Sequence, residues 1–70
     1  MSENMQLVDR VLLILEELCE SDRPLGPTEL AEKLSLSKST VYRLLNALVA
    51  RNYAEKTADG TYRLGCRLVE

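Results

Sequence analysis

The segment of this chain richest in side chains suited to binding begins with a polar run, Ser37, Lys38, Ser39 and Thr40, and continues through Arg43 and Asn46. An arginine can donate two hydrogen bonds to a guanine edge, an asparagine can pair with adenine, and a hydroxyl can bond either a base or a phosphate. Lysine adds a cation for a phosphate. These residue types indicate contact with a nucleic acid, provided that one structural element presents them together.

The spacing of apolar residues supplies such an element. At about 100° per residue they fall on one face of a helix; they are Val41, Leu44, Leu45, Leu48 and Val49. The opposite face is polar or small, with Ser39, Arg43, Asn46 and Ala50 flanked by Thr40, Tyr42 and Ala47. We predict a helix from Lys38 to about Arg51, with Ser37 as its N-cap. This face carries no acidic residue, so it would not repel phosphates beside a major groove.

Each of these residues also has a purely structural explanation. Ser37 would cap this helix whatever the protein does, and Arg43 taken alone is an ordinary solvated charge. The combination, together with backbone N–H groups at the helix start that attract anions, favours a nucleic acid. Lys38 is the candidate for a phosphate, whereas Ser39 and Thr40 lie beside Arg43 on the outward face.

A first helix is predicted from Leu7 to Glu20, because its apolar residues share one arc and its charged residues share the other. The apolar arc, which we expect to face a core, consists of Leu7, Val8, Val11, Leu12, Ile14, Leu15, Leu18 and Cys19. Leu13 instead projects into the acidic arc. Two explanations stay open for it, a single exposed leucine or a contact within a dimer.

A loop with two prolines and a glycine follows the first helix, with room for a short extended piece at Leu25. Gly26 is suited to the N-cap of a second helix, Pro27 to Leu34, because proline is favoured at the first helical position. Residues 35–37 then form a turn before the longer helix. The order is helix, short turn, longer helix.

Two short extended runs, 53–57 and 61–64, flank Asp59-Gly60, which is a hairpin signal. So small a hairpin must lean on the helices. Lys56 and Arg63 lie near its tip, where they could straddle a phosphate strand or reach a minor groove. The predicted fold is mainly α with a small β-hairpin wing: a winged helix-turn-helix, built from a three-helix bundle and a two- or three-stranded antiparallel sheet.

Charge supports this interpretation, although the net charge is −2. Residues 1–22 hold six acidic residues and one basic residue, whereas residues 36–67 hold six basic and two acidic ones. We find no signal peptide or membrane span. The chain has no histidine, and its two cysteines lie too far apart for a metal or redox motif. We therefore predict no metal, no cofactor, no catalytic residue and no enzyme activity.

The sequence resembles the isocitrate lyase regulator (IclR) family of bacterial and archaeal transcription factors. The resemblance rests on "VLLILEEL" at residues 11–18, "RPLGPTELAEKLSLSKSTVYRLLNALVARNY" at 23–53 and "YRLGCRLVE" at 62–70. It implies a DNA-binding domain at residues 1–65, with the helix-turn-helix at about 27–46 and the wing at about 53–64. Residues 66–70 would then begin a linker helix to an absent C-terminal domain that binds a small organic effector.

Site residues follow from the same resemblance. It implies that Ser39, Thr40, Tyr42 and Arg43 contact DNA from the third helix and that Thr28 contacts a phosphate. The chain departs from the family where members often have proline, at Ser37 and at Cys66. Serine at position 37 can still cap the helix, whereas cysteine in place of proline at position 66 leaves the start of the linker helix less sharply defined.

The function implied is that of a cytoplasmic, effector-responsive transcriptional regulator of the repressor type. It would bind double-stranded DNA at a palindromic operator as a homodimer, or as a tetramer in the full-length protein. The alternative is a winged-helix protein-interaction module without DNA contact, which predicts an exposed apolar patch on the third helix.

Overall fold

The computed structural model describes residues 3–65. Three helices, α1 (Glu3–Glu20), α2 (Pro27–Leu34) and α3 (Lys38–Ala50), precede two strands, β1 (Ala54–Lys56) and β2 (Tyr62–Leu64). The strands pair antiparallel, so the predicted winged helix-turn-helix is confirmed. The predicted start of a linker helix at 66–70 lies outside the described residues.

The boundaries of α2 and α3 follow local signals. Gly26 is in the extended region at the N-cap of α2 and accepts the Leu30 N–H at 2.9 Å. The helix ends where Ser35 adopts a left-handed conformation with φ 57°. Ser37 caps α3, as predicted, and Arg51 is the C-cap rather than the last helical residue.

The core draws side chains from every element. Its buried members are Ile14, Leu18, Leu25, Leu30, Ala31, Val41, Leu44, Leu45, Leu48, Ala54 and Tyr62. Tyr62 anchors the hairpin, because it is only 1% exposed and exchanges two backbone hydrogen bonds with Leu25, at 2.9 and 2.8 Å. The sheet therefore has two full strands, and Leu25 adds the extended piece as a single bridge.

The prediction for the apolar arc of α1 is wrong for half of its residues. Ile14 and Leu18 are buried, and Val11 and Leu15 pack partly against the core. The other four are exposed: Leu7, Val8, Leu12 and Cys19. With 18 residues, α1 is about 27 Å long, whereas the eight residues of α2 span about 12 Å. The N-terminal half of α1, which holds Leu7 and Val8, therefore extends beyond the elements that could cover it. Leu12 and Cys19 lie in the C-terminal half and are exposed at the edge of the apolar arc.

Two glycines complete the wing. Gly60 has φ 87° and donates its N–H to the Thr57 carbonyl at 3.1 Å, which closes the hairpin turn as predicted. Gly65 donates to the Tyr53 carbonyl at 2.9 Å, and a Cβ at Gly65 would overlap the carbonyl group of Asn52. Only glycine fits there without displacing the chain that joins α3 to β1.

Candidate nucleic-acid interface

The outward face of α3 is polar, as the helical spacing predicts. Ser39, Tyr42, Arg43 and Asn46 are exposed, whereas the apolar stripe on the opposite face lies in the core. Between them Ala47 and Ala50 are also exposed, and their small side chains leave room for a second surface to approach. Helix α3 therefore offers hydrogen-bond donors and acceptors on its exposed face, with small side chains at Ala47 and Ala50.

Hydroxyl groups at the start of α3 form one cluster. Ser37 Oγ accepts the Thr40 backbone N–H at 3.2 Å and donates to Thr40 Oγ1 at 2.8 Å, and Ser39 Oγ lies 3.4 Å from Ser37 Oγ. Thr40 keeps its own hydroxyl proton for a further acceptor. The structure thus confirms Ser37 as the cap, and its contact with DNA stays a prediction.

Two predicted phosphate contacts lie in the first turns of helices. Lys38 is exposed at the start of α3, and Thr28 is exposed at the second position of α2. The first N–H groups of a helix have no acceptor within it, so both positions favour an anion. Neither Lys38 nor Arg43 forms an ion pair within residues 3–65. Their charges are available to a ligand.

The wing places its two cations on opposite faces. Lys56 pairs with Tyr62 in the hairpin register, and Glu55 pairs with Arg63. Because side chains alternate along a strand and directly paired residues share a face, Arg63 lies on the outer face with Glu55. Lys56 lies at the exposed end of the inner face. The sequence placed both cations near the tip but did not separate their faces.

Acidic residues compensate the wing's positive charge. Arg63 Nε donates to Glu55 Oε1 at 3.0 Å. Asp59 accepts hydrogen bonds from the Thr57 hydroxyl and from the Thr61 hydroxyl and N–H, and the Thr57 bond is the largest cause of the lowered pKa of Asp59. Sequence analysis missed the pairing of Glu55, because counting outward from a two-residue Asp59-Gly60 turn places Lys56 opposite Arg63, whereas the observed register is centred on Asp59.

A second compensated arginine lies before α2. Arg23 donates to both carboxylate oxygens of Glu29 and to the Pro24 carbonyl, the last at 3.1 Å. The hydrogen bonds from Arg23 lower the pKa of Glu29 and keep it ionised in the first turn, where the helix dipole also favours a negative charge. Arg23 therefore braces the loop against α2.

Two other features were sought in the part of the chain that the structure describes, a metal-binding cluster and a membrane-spanning helix. Across residues 3–65 no three cysteine, aspartate or glutamate residues are grouped so that they could hold a metal ion. In the same part of the chain, none of the helices has both the length and the apolar content for crossing a membrane.

Comparison with known proteins gives a consistent result. A family model described as the IclR helix-turn-helix domain matches residues 7–58. The HTH-type transcriptional regulator XynR of Escherichia coli K12 is 39% identical over 67 residues, which cover 94% of this chain and 27% of XynR. The glycerol operon regulatory protein of Streptomyces griseus is 34% identical over 70 residues, covering 99% of this chain and 28% of that protein.

A solved structure agrees with the fold. The crystal structure of the repressor BlcR from Agobacterium tumefaciens superposes with a TM-score of 0.83 at 31% identity, over 97% of this chain and 27% of BlcR. This chain thus spans a little over a quarter of the length of these relatives. They are named as regulators, which confirms the prediction that the chain is not an enzyme. The chain belongs to the IclR family of transcriptional regulators, in which it corresponds to the helix-turn-helix domain.

Proposed function

We propose that this chain is the sequence-specific DNA-binding domain of an effector-responsive regulator and that α3 enters the major groove. The observation that carries the proposal is the outward face of α3, where Arg43 and Asn46 are exposed and no acidic residue interrupts the helix. The major groove of B-DNA is wide enough to admit an α-helix. The opposite face of α3 is buried in the core, so only the polar face can contact a duplex.

The side chains divide into base and phosphate contacts. Arg43 donates two hydrogen bonds to a guanine and Asn46 pairs with an adenine, whereas Ser39, Thr40 and Tyr42 contact bases or sugars beside them. The remaining residues are candidates for contacts with phosphates: Thr28, Ser37, Lys38, Lys56 and Arg63. Phosphate contacts set orientation and affinity, and base contacts set the sequence that is bound.

We further propose that the full-length protein acts in the cytoplasm as a homodimer, or as a tetramer, on a palindromic operator. Two-fold symmetry would place the half-sites about 34 Å apart, or at a multiple of that spacing. A small organic effector, bound by a C-terminal domain, would control occupancy. Repression is supported by the description of BlcR as a repressor.

The surface of α1 supports a dimer. Four apolar residues lie at intervals of four, three and four residues: Val8, Leu12, Leu15 and Cys19. Three of them are exposed, and Leu15 packs partly against the core. This spacing is typical of a seam between paired helices. Val8 and Leu12 are each 48% exposed. Leu13 is 42% exposed and lies about 100° around the helix from Leu12, so it provides a matched comparison.

Sedimentation of Leu12→Glu and Leu13→Glu tests this surface. We expect Leu12→Glu to weaken self-association more than Leu13→Glu, because it puts a charge into the seam. The reverse order would move the interface to the acidic side of α1, and unchanged association in both variants would remove α1 from the interface.

Substitution of Arg43 tests the reading of DNA. Operator sequences are first selected from random DNA with the full-length protein, and affinity is then measured by fluorescence anisotropy for wild type and Arg43→Ala. We expect the variant to lose about 1 to 3 kcal/mol on the operator and to discriminate less at one base position. Lys56→Ala should instead weaken all sequences alike.

Arg10→Ala on α1 is the control, because it removes an exposed arginine of another element. If Arg43→Ala bound operator and random duplex as the wild type does, α3 would not be the reading helix. The competing function, a protein-interaction module, predicted an apolar patch on α3; the exposed large apolar residues lie mostly on α1 instead. A salt titration separates the two, since only phosphate contacts give a steep loss of affinity with salt.

A further inference from the structure

We infer that Glu55 withholds the Arg63 guanidinium from DNA phosphates, so that Arg63 adds little to sequence-independent affinity. Glu55 is thus a positioning residue that sets the affinity for DNA through Arg63. The inference rests on the proposed function and deepens it, because it states which of the candidate phosphate contacts is neutralised in the protein itself.

The geometry of the hairpin puts the two groups together. Glu55 and Arg63 are directly paired across β1 and β2, and Arg63 Nε donates to Glu55 Oε1 at 3.0 Å. The pair uses one donor of five on the guanidinium, so the outer N–H groups remain directed away from the carboxylate. A phosphate that approached them would meet a neutral pair instead of an isolated cation.

The other two charged residues of the wing are also one cation and one anion. Lys56 is its second cation, and Asp59, in the turn, is its second anion. Asp59 is held by three hydrogen bonds from Thr57 and Thr61. The wing therefore carries no net charge, in contrast to α3, where Lys38 and Arg43 have no acidic neighbour on the helix.

Pairing of Arg63 with Glu55 should change how the affinity for DNA depends on salt. Each cation that neutralises a phosphate releases counterions and steepens the dependence of affinity on salt, whereas a cation already paired with a carboxylate releases few. The pairing of Arg63 with Glu55 therefore lowers the affinity for every duplex while leaving the base contacts of α3 unchanged. The side chains of Arg63 and Glu55 are 62% and 42% exposed, so the pair is accessible to DNA and weakened by solvent.

The test is a double-mutant cycle measured on a random-sequence 20-base-pair duplex at several salt concentrations. Glu55→Gln keeps an oxygen that accepts the Arg63 hydrogen bond but removes the charge. We expect the slope of log affinity against log salt to steepen by about 0.9, the value for one added phosphate contact on B-DNA. The affinity gain over wild type should then grow about 3.5-fold between 200 and 50 mM salt.

Two further variants make the cycle decisive. Arg63→Gln alone should not steepen the slope, because it leaves the Glu55 carboxylate without a paired cation, and Glu55→Gln combined with Arg63→Gln should return the slope to about the wild-type value. Glu16→Gln on α1 makes the same change in net charge on another element and should have no effect. Thermal unfolding of each variant confirms that the hairpin is intact.

The inference is overturned if Glu55→Gln leaves the slope at the wild-type value, or if its gain persists in the double variant. Either result would show that Arg63 is not the group being released. Failure of the proposed function would look different: the wild type itself would show no salt-dependent affinity for a duplex, and Arg43→Ala would have no effect on the operator.

Discussion

Substitutions of Ser37 can separate its role as the N-cap of α3, which is measured by stability, from a contact with DNA, which is measured by affinity. In the structure Ser37 Oγ accepts the Thr40 N–H at 3.2 Å and donates to Thr40 Oγ1 at 2.8 Å. Ser37→Ala loses both interactions, but the site is exposed, so water partly replaces them. We therefore expect a loss near the middle of the range for N-caps, about 1 kcal/mol in the free energy of unfolding.

For a domain of this size a loss of about 1 kcal/mol lowers Tm by about 4 to 8 °C. Thermal unfolding followed by far-ultraviolet circular dichroism measures it, with urea unfolding for the free energy. Ser37→Gly and Ser37→Asn are the matched controls. Glycine costs only a few tenths of a kcal/mol at an N-cap and asparagine caps about as well as serine. We expect Ser37→Asn to have the Tm of the wild type, Ser37→Gly a slightly lower Tm, and Ser37→Ala the lowest Tm.

A Tm for Ser37→Ala equal to that of the wild type would refute the capping argument, and so would Ser37→Gly falling as far as Ser37→Ala. DNA affinity, measured well below every Tm, then addresses the second predicted role. If Ser37 serves only as a cap, Ser37→Gly binds a duplex nearly as wild type does. A loss of affinity in Ser37→Gly without a matching loss of stability would identify a contact with DNA.

Two further predictions concern the scaffold. Gly65→Ala should destabilise the protein by about 1 to 3 kcal/mol in urea unfolding, because its Cβ would lie only 2.9 Å from the Asn52 carbonyl carbon and overlap the oxygen. Gly26→Ala, whose Cβ meets nothing nearer than 3.9 Å, should cost less, and an equal cost would contradict the steric account. Arg23 lowers the pKa of Glu29 from its ordinary value of 4.5. The pair of Arg23 and Glu29 therefore stabilises the folded protein at pH values above 4.5, and this stabilisation is lost as the pH falls through the lowered pKa of Glu29 in the folded state. The difference in unfolding free energy between wild type and Arg23→Ala should therefore be largest near pH 7 and shrink in acid; a difference independent of pH would exclude this linkage.

Much of the fold was predictable because its signals are local. Pro27 after Gly26 sets the start of α2, Ser37 sets the start of α3, and Gly60 allows the positive φ of the hairpin turn. These residues act on the backbone within a few positions of themselves. The polar face of α3 was predictable for the same reason, since helical periodicity assigns every side chain a direction.

The features that were not predicted depend on partners distant in the chain. The pairing of Glu55 with Arg63 requires the register of the hairpin, and the requirement for glycine at 65 arises where the returning chain meets Asn52. Periodicity cannot report such contacts, because it describes directions around one element and not what lies opposite. The candidate side chains were therefore identified from sequence, while the ion pair between Glu55 and Arg63 was not.

Helix α1 shows the same division most clearly. Its amphipathic pattern determined that a helix forms and which arc is apolar. Only the tertiary structure decided that Ile14 and Leu18 are buried while Leu7 and Val8 are exposed. Burial depends on how far the neighbouring elements reach, and the short α2 does not extend along the N-terminal half of α1. By itself, the sequence determined the helices, the turn and the outward face of α3; packing between elements decided which apolar and charged groups remain available for partners.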